Sequence, residues 1–122
     1  MEDKNGVRYI PVEINGVGLR FIFDTGASDI SISSLEAKVL IKQGTLSKDD
    51  ILGEAYYKIA SGETIKAIKI NLREVKIGNR VLNNIEASII KNQEADLLLG
   101  QSALEKFGKI TIDNKNNVII FE

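Results

Sequence analysis

The sequence predicts a mainly β domain with a few short helices and approximate internal twofold symmetry, and three observations lead there. Short stretches of alternating apolar and polar residues recur between turns rich in asparagine and glycine, the pattern of half-buried strands joined as hairpins. Two continuous apolar runs, Phe21-Ile22-Phe23 leading into Asp24-Thr25-Gly26 and Leu97-Leu98-Leu99 leading into Gly100, have the character of strands buried on both faces. The surroundings of these runs echo one another. Glu13-Ile14-Asn15-Gly16 and the strand into Asp24 parallel Lys76-Ile77-Gly78-Asn79 and the strand into Leu97 to Gly100. Each unit reads as strand, turn, strand, apolar run with glycine, then capped helix.

In chain order, Met1 to Gly6 is charged and glycine-bearing, which predicts a flexible N-terminal segment before a single domain over 7–122. Val7 to Ile14 alternates and meets Asn15-Gly16, the strongest short hairpin signal, so Leu19 to Phe23 is the return strand. Asp29 to Ile32 alternates again. Ser33 followed by Glu36 matches a capping box, with Leu35, Val39, Leu40 and Ile41 as the apolar helical face and Gly44 as its stop. Ser47 opens a shorter capped turn running to Gly53, and the adjacent Asp49 and Asp50 read as partners of its dipole rather than as an acid pair. Tyr56 to Ala60 and Thr64 to Ile70 form a hairpin tipped by Ser61-Gly62, with the tyrosines read as sheet packing. Leu72 to Ile77 turns at Gly78-Asn79 and returns through Val81 to Ile90. Ser102 and Glu105 make another capping box before a helix ending at Gly108, and Lys109–Asp113 with Val118–Phe121 form a last hairpin.

The composition, 43% hydrophobic and 27% charged over 122 residues, suits one globular domain with a real core. A formal net charge of −1 leaves no electrostatic footprint for nucleic acid or an anionic membrane. No apolar run approaches the ~18 residues that span a bilayer, so no membrane contact is expected within these residues. The chain has neither cysteine nor histidine. That removes thiolate nucleophiles, Ser-His and Cys-His couples, the imidazole base, and zinc sites built on Cys or His. Acid–base chemistry, if any, falls to carboxylates, Lys, Tyr or an external cofactor.

Asp24, set at the end of a continuous apolar run, is the acid whose place needs explaining. A lone carboxylate inside a core is costly, and Gly26 permits a turn that would hold Asp24 at the lip of the core instead. Taken by itself, Asp24-Thr25-Gly26 also fits an ordinary turn in which the acid accepts local backbone hydrogen bonds.

Asp24-Thr25-Gly26-Ala27-Ser28, the glycine-tipped hairpin and Leu98-Leu99-Gly100 before a short helix stand in the order found in retropepsin-like aspartic proteases. The chain resembles that family over roughly residues 7 to 121. Its tail, Leu97 to Leu104 with Phe107-Gly108 and Ile112-Asp113, is similar to the cellular and bacterial branch rather than the viral one. The resemblance implies an acid-protease barrel and an endopeptidase needing no metal and no cofactor. A water held between two carboxylates, one ionised and one protonated, would attack the peptide carbonyl without a covalent intermediate. With one motif per chain, it implies a homodimer pairing Asp24 with its own copy across a twofold axis. Asp24, Thr25 and Gly26 are the implied catalytic residues, Thr25 stiffening the loop across the dimer and Gly26 making the turn. Ala27 and Ser28 would shape the floor for a peptide or protein substrate. Ala60, Ser61 and Gly62 would sit in a flap over it, and Leu98 to Gly100 would support the loop from beneath. Viral members usually carry an acid where Ser28 stands, so substrate contacts there do not transfer. The helical insert over 33–53 has no implied role.

A different class of reading is a catalytically inactive module of the same fold that binds peptides or serves assembly. A third is a domain that dimerises only with, or after release from, an upstream segment. The compartment is open, with a periplasmic or membrane-tethered place in a longer precursor as one option.

Overall fold

The computed structural model describes residues 2–4, 7–24, 29–58, 61–91, 96–100, 103, 105–108, 110–113, 115–116 and 118–121. Strands β1 (Glu2–Lys4), β2 (Val7–Ile14), β3 (Val17–Asp24) and β4 (Ile30–Ser33) precede helix α1 (Ser34–Lys42) and a 3₁₀ turn at Lys48–Asp50. Strands β5 (Ile51–Lys58), β6 (Thr64–Ile77), β7 (Arg80–Ile90) and β8 (Leu97–Gly100) follow, and β9 (Ile110–Asp113) and β10 (Val118–Phe121) make a separate two-stranded sheet. Within the segment read as flexible, Glu2–Lys4 pairs with Val7–Tyr9 as a short outer strand.

The main sheet runs β1-β2-β3-β8-β4-β7-β6-β5 and closes on itself through β2–β6, where Ile14 pairs with Val75. Six strands therefore form a barrel with β1 and β5 outside it, which removes most of the exposed sheet edge. Asn15 and Gly16, at φ 50° and 85°, supply the primed turn that the β2–β3 hairpin needs. The fourteen-residue β6 serves two neighbourhoods. Ile70 and Leu72 are buried in one phase and Val75 and Ile77 in the other; the change falls at Arg73-Glu74, opposite Asn83-Asn84, where Asn84 takes φ 57°. That corner lets one strand pair with β5 and β7 and then with β2.

The internal symmetry is visible in the pairings. Strands β3 and β8 are parallel, as are β4 and β7, whereas β4–β8 and β2–β6 are antiparallel. Exchanging β2 with β6, β3 with β7 and β4 with β8 maps this set onto itself. The register of the sequence echo is thereby corrected: Leu97–Gly100 corresponds to Ile30–Ser33, not to the run ending at Asp24. Both runs are strands of the barrel wall, with Phe21, Leu97 and Leu99 buried and Ile22, Phe23 and Leu98 partly buried, and apolarity alone does not tell one such strand from its neighbour.

Phe21, Ile30, Leu72 and Leu99 are fully buried at the centre of the core. Burying each such side chain contributes about 1.5–3 kcal/mol relative to exposure. The buried residues of helix α1 are Ala37 and Leu40. Leu35, Val39 and Ile41, expected on the buried face, are exposed, because the 37–40 row rather than the 35–39 row meets the barrel. Its ends follow the sequence signals. The Ser33 hydroxyl accepts from Glu36 N–H at 3.1 Å, and Gly44, at φ 84°, closes a Schellman motif with Thr45 N–H donating to Leu40 O. The 3₁₀ turn does not run on to Gly53. Strand β5 already starts at Ile51, and Gly53, at φ 152°, sits at a bulge against β6.

Asp49 and Asp50 have separate fates. Asp49 is exposed, while Asp50 is buried and accepts from Ser47 N–H at 3.0 Å and from Arg73 Nε at 3.2 Å. Arg73 also donates to Thr45 O, a carbonyl that takes a second bond from Asn15 Nδ2. Asn15 Oδ1 in turn accepts from Glu74 N–H at 3.0 Å. The insert is thus tied to β6 and to the β2–β3 turn at one point. Arg73→Met leaves a buried carboxylate and a carbonyl each short of a donor, so a loss of about 1–3 kcal/mol is expected, read from the denaturant midpoint. An unchanged midpoint would contradict this role.

Candidate active site

Asp24 ends β3, half-buried, in register with Gly100 of β8. Strand β8 lies between β3 and β4, pairing Phe23 with Leu99 on one side and Ile30 with Leu99 on the other. Gly100 meets both residues that flank 25–28, the two feet of that segment: Asp24 by strand pairing, and Asp29 through Gly100 N–H donating to Asp29 O at 3.1 Å. The buried run of leucines fixes the height of that glycine, and the glycine fixes the two feet.

Thr25, Gly26, Ala27 and Ser28, and Ala60 of the expected flap, lie outside the described residues. Ser61 and Gly62 are exposed at the tip of the β5–β6 hairpin, with Gly62 at φ 89°. Tyr56, read as sheet packing, is instead largely exposed on edge strand β5. Lys66 opposite it meets Glu54 at 2.7 Å. The hydrogen bond and charge of Glu54 raise the Lys66 pKa, so this pair adds stability below the ordinary lysine pKa that is lost as pH rises past the raised value. The pair is half-exposed, which keeps that contribution small.

The side chains that gather at Asp29 come from strands distant in sequence, and nothing local in the sequence links them. Lys69 of β6 donates to the buried Ser88 Oγ of β7 at 2.9 Å, with Glu86 at 3.6 Å and Asp29 at 4.0 Å. In the sequence it is one of several lysines spaced along an amphipathic strand; only the topology brings it to the Asp29 foot. A groove of about 360 Å³ between the β2–β3 and β6–β7 turns, lined in part by Pro11, Leu19, Lys76 and Gly78, lies at the opposite end of β3 from Asp24. Among the described residues, no three acids gather as a metal site and no helix is long and apolar enough to cross a membrane.

Residues 10–106 match the family model described as "gag-polyprotein putative aspartyl protease". The chain belongs to this aspartyl protease family. Its fold is similar to the crystal structure of a retropepsin-like aspartic protease from Rickettsia conorii, with 32% identity, a TM-score of 0.69, and 98% of this chain and 93% of the other covered. It is also similar to the retroviral protease-like domain of Ddi1 from Leishmania major, with TM-score 0.67 over 95% and 88% of the two chains; at 18% identity that likeness speaks to the fold. An uncharacterized Rickettsia prowazekii protein, RP867, is 34% identical over 109 residues, 89% of this chain. The match spans 45% of that relative's length. The retropepsin-like barrel expected from the Asp24 motif and the Leu98-Leu99-Gly100 motif is the fold of this chain.

Proposed function

We propose that the chain is an aspartic endopeptidase whose active site forms when two copies bring their Asp24 carboxylates together. The observation that carries this reading is the position of Asp24, at the end of β3 and in register with Gly100, on a loop whose second foot the same glycine holds. A loop held at both ends on a buried strand can present a carboxylate with little reorganisation, which is what acid–base catalysis requires.

Two carboxylates within a few ångströms cannot both ionise easily, so the pair shares one proton; aspartic proteases are the standard instance of such a dyad. The ionised member takes a proton from water as the oxygen attacks the peptide carbonyl, and the protonated member donates toward the developing oxyanion. Thr25 and Gly26 complete the loop, Ala27 and Ser28 line the floor, and the hairpin carrying Ala60, Ser61 and Gly62 closes over an extended, mainly apolar peptide and excludes water. The working state holds one proton, so kcat/KM falls at both ends of the pH range with values belonging to the pair. Cleavage of an unstructured apolar peptide, followed by mass spectrometry across pH, tests this. Internal cuts with a bell-shaped profile are expected. An intact peptide at every pH, with the protein dimeric, would favour a binding module instead.

A further inference from the structure

We propose that Lys69 is a positioning residue for the Asp24 loop, holding its second foot, Asp29, against Gly100. The importance of that loop to turnover rests on the protease reading above; the tether itself rests only on the geometry. Lys69 belongs to β6, on the far side of β7 from β4, yet its ammonium reaches across to the start of β4. Ser88, 3% exposed and in register with Lys69, fixes the ammonium by a hydrogen bond of 2.9 Å. Asp29, at 4.0 Å, is then held by charge attraction rather than by a hydrogen bond, and Glu86 at 3.6 Å draws the ammonium from the β7 side.

The Lys69 side chain is only 18% exposed, against 37% for Asp29 and 52% for Glu86. An ordinary surface lysine keeps its head in water, as Lys66 does at 53% on the same strand. The two lysines are three residues apart, so the alternation of a strand sends them to opposite faces. Lys66 pairs with Glu54 within its own hairpin, whereas Lys69 links three strands and ends at the loop foot. A partly desolvated cation between two carboxylates interacts more strongly than an exposed pair. Asp29 also accepts the Gly100 N–H bond, so holding Asp29 holds the contact that sets the loop's height.

The test compares wild type with Lys69→Met, Lys69→Arg, Lys66→Met and Asp24→Asn, reading single-amide hydrogen exchange at Gly100 and steady-state cleavage of one apolar peptide. Lys69→Met is expected to speed Gly100 exchange about fivefold while amides of the β6–β7 ladder keep their rates. It is expected to lower kcat about tenfold with KM within about threefold, because a displaced loop costs chemistry more than binding. Lys69→Arg should restore most of both, and Lys66→Met should match wild type. Unchanged Gly100 exchange in Lys69→Met would overturn the tether, as would a uniform rise across β6 and β7, which would mark a general packing role. Asp24→Asn decides the protease reading separately. If wild type cleaves nothing, that reading fails and Gly100 exchange still decides the tether.

Discussion

Asp24→Asn is expected to lose roughly 10²- to 10⁴-fold or more in kcat/KM, the range that positioned acid–base groups supply, with no loss of fold or of dimer. The amide is close in size to the carboxyl, and Asp24 is half-buried at a strand end, so the substitution perturbs charge and proton transfer rather than packing. The barrel beneath it does not depend on the acid, since the core under the loop is made by Phe21, Ile30 and Leu99. Circular dichroism, melting temperature and sedimentation should therefore match wild type while peptide cleavage disappears. An Asp24→Asn variant with full activity would remove Asp24 from the chemistry.

Leu99→Ala is the substitution expected to cost most in stability. Leu99 is fully buried and is the residue of β8 that pairs with both Phe23 of β3 and Ile30 of β4. Truncating a core leucine costs about 2–5 kcal/mol, the upper end applying where the surroundings cannot collapse into the cavity. Strands on both sides of Leu99 are held in register, so little collapse is available. Against a total stability of about 5–15 kcal/mol, this is a large fraction. The melting temperature should fall by about 15–20 °C. The cavity opens beside Gly100, so activity should fall in the same variant even below its melting temperature. A melting temperature within about 2 °C of wild type would contradict the placement of β8 at the centre of the core.

The fold was legible where the sequence carries local signals. Asn15-Gly16 dictates a hairpin turn by its backbone preferences, Ser33 and Gly44 bracket α1 by capping chemistry, and the apolar runs at Phe21 and Leu97 announce buried strands. What went unread depends on which strands become neighbours. The sequence echo equated Leu97–Gly100 with the Asp24 run because both are apolar, whereas the parallel β3–β8 and β4–β7 pairings set it against Ile30–Ser33. Asp50 resembled any acid in a first helical turn, and only the arrival of Arg73 from β6 makes it a buried anchor for the insert. At the site, Asp24 was legible as an acid at the end of a buried strand. Lys69 was not, because the distance from Lys69 to Asp29 is a property of the barrel and not of either segment.

In the proposed dimer, one active site takes an Asp24 from each of two chains. Mixing wild type with Asp24→Asn at constant total chain concentration, after subunits exchange, tests it most directly. If each site needs two aspartates, activity follows the square of the wild-type fraction, so an equal mixture retains about one quarter of wild-type activity, mixed dimers having only one carboxylate. A linear dependence, with about one half retained in that mixture, would mean that each chain works alone and would contradict the account.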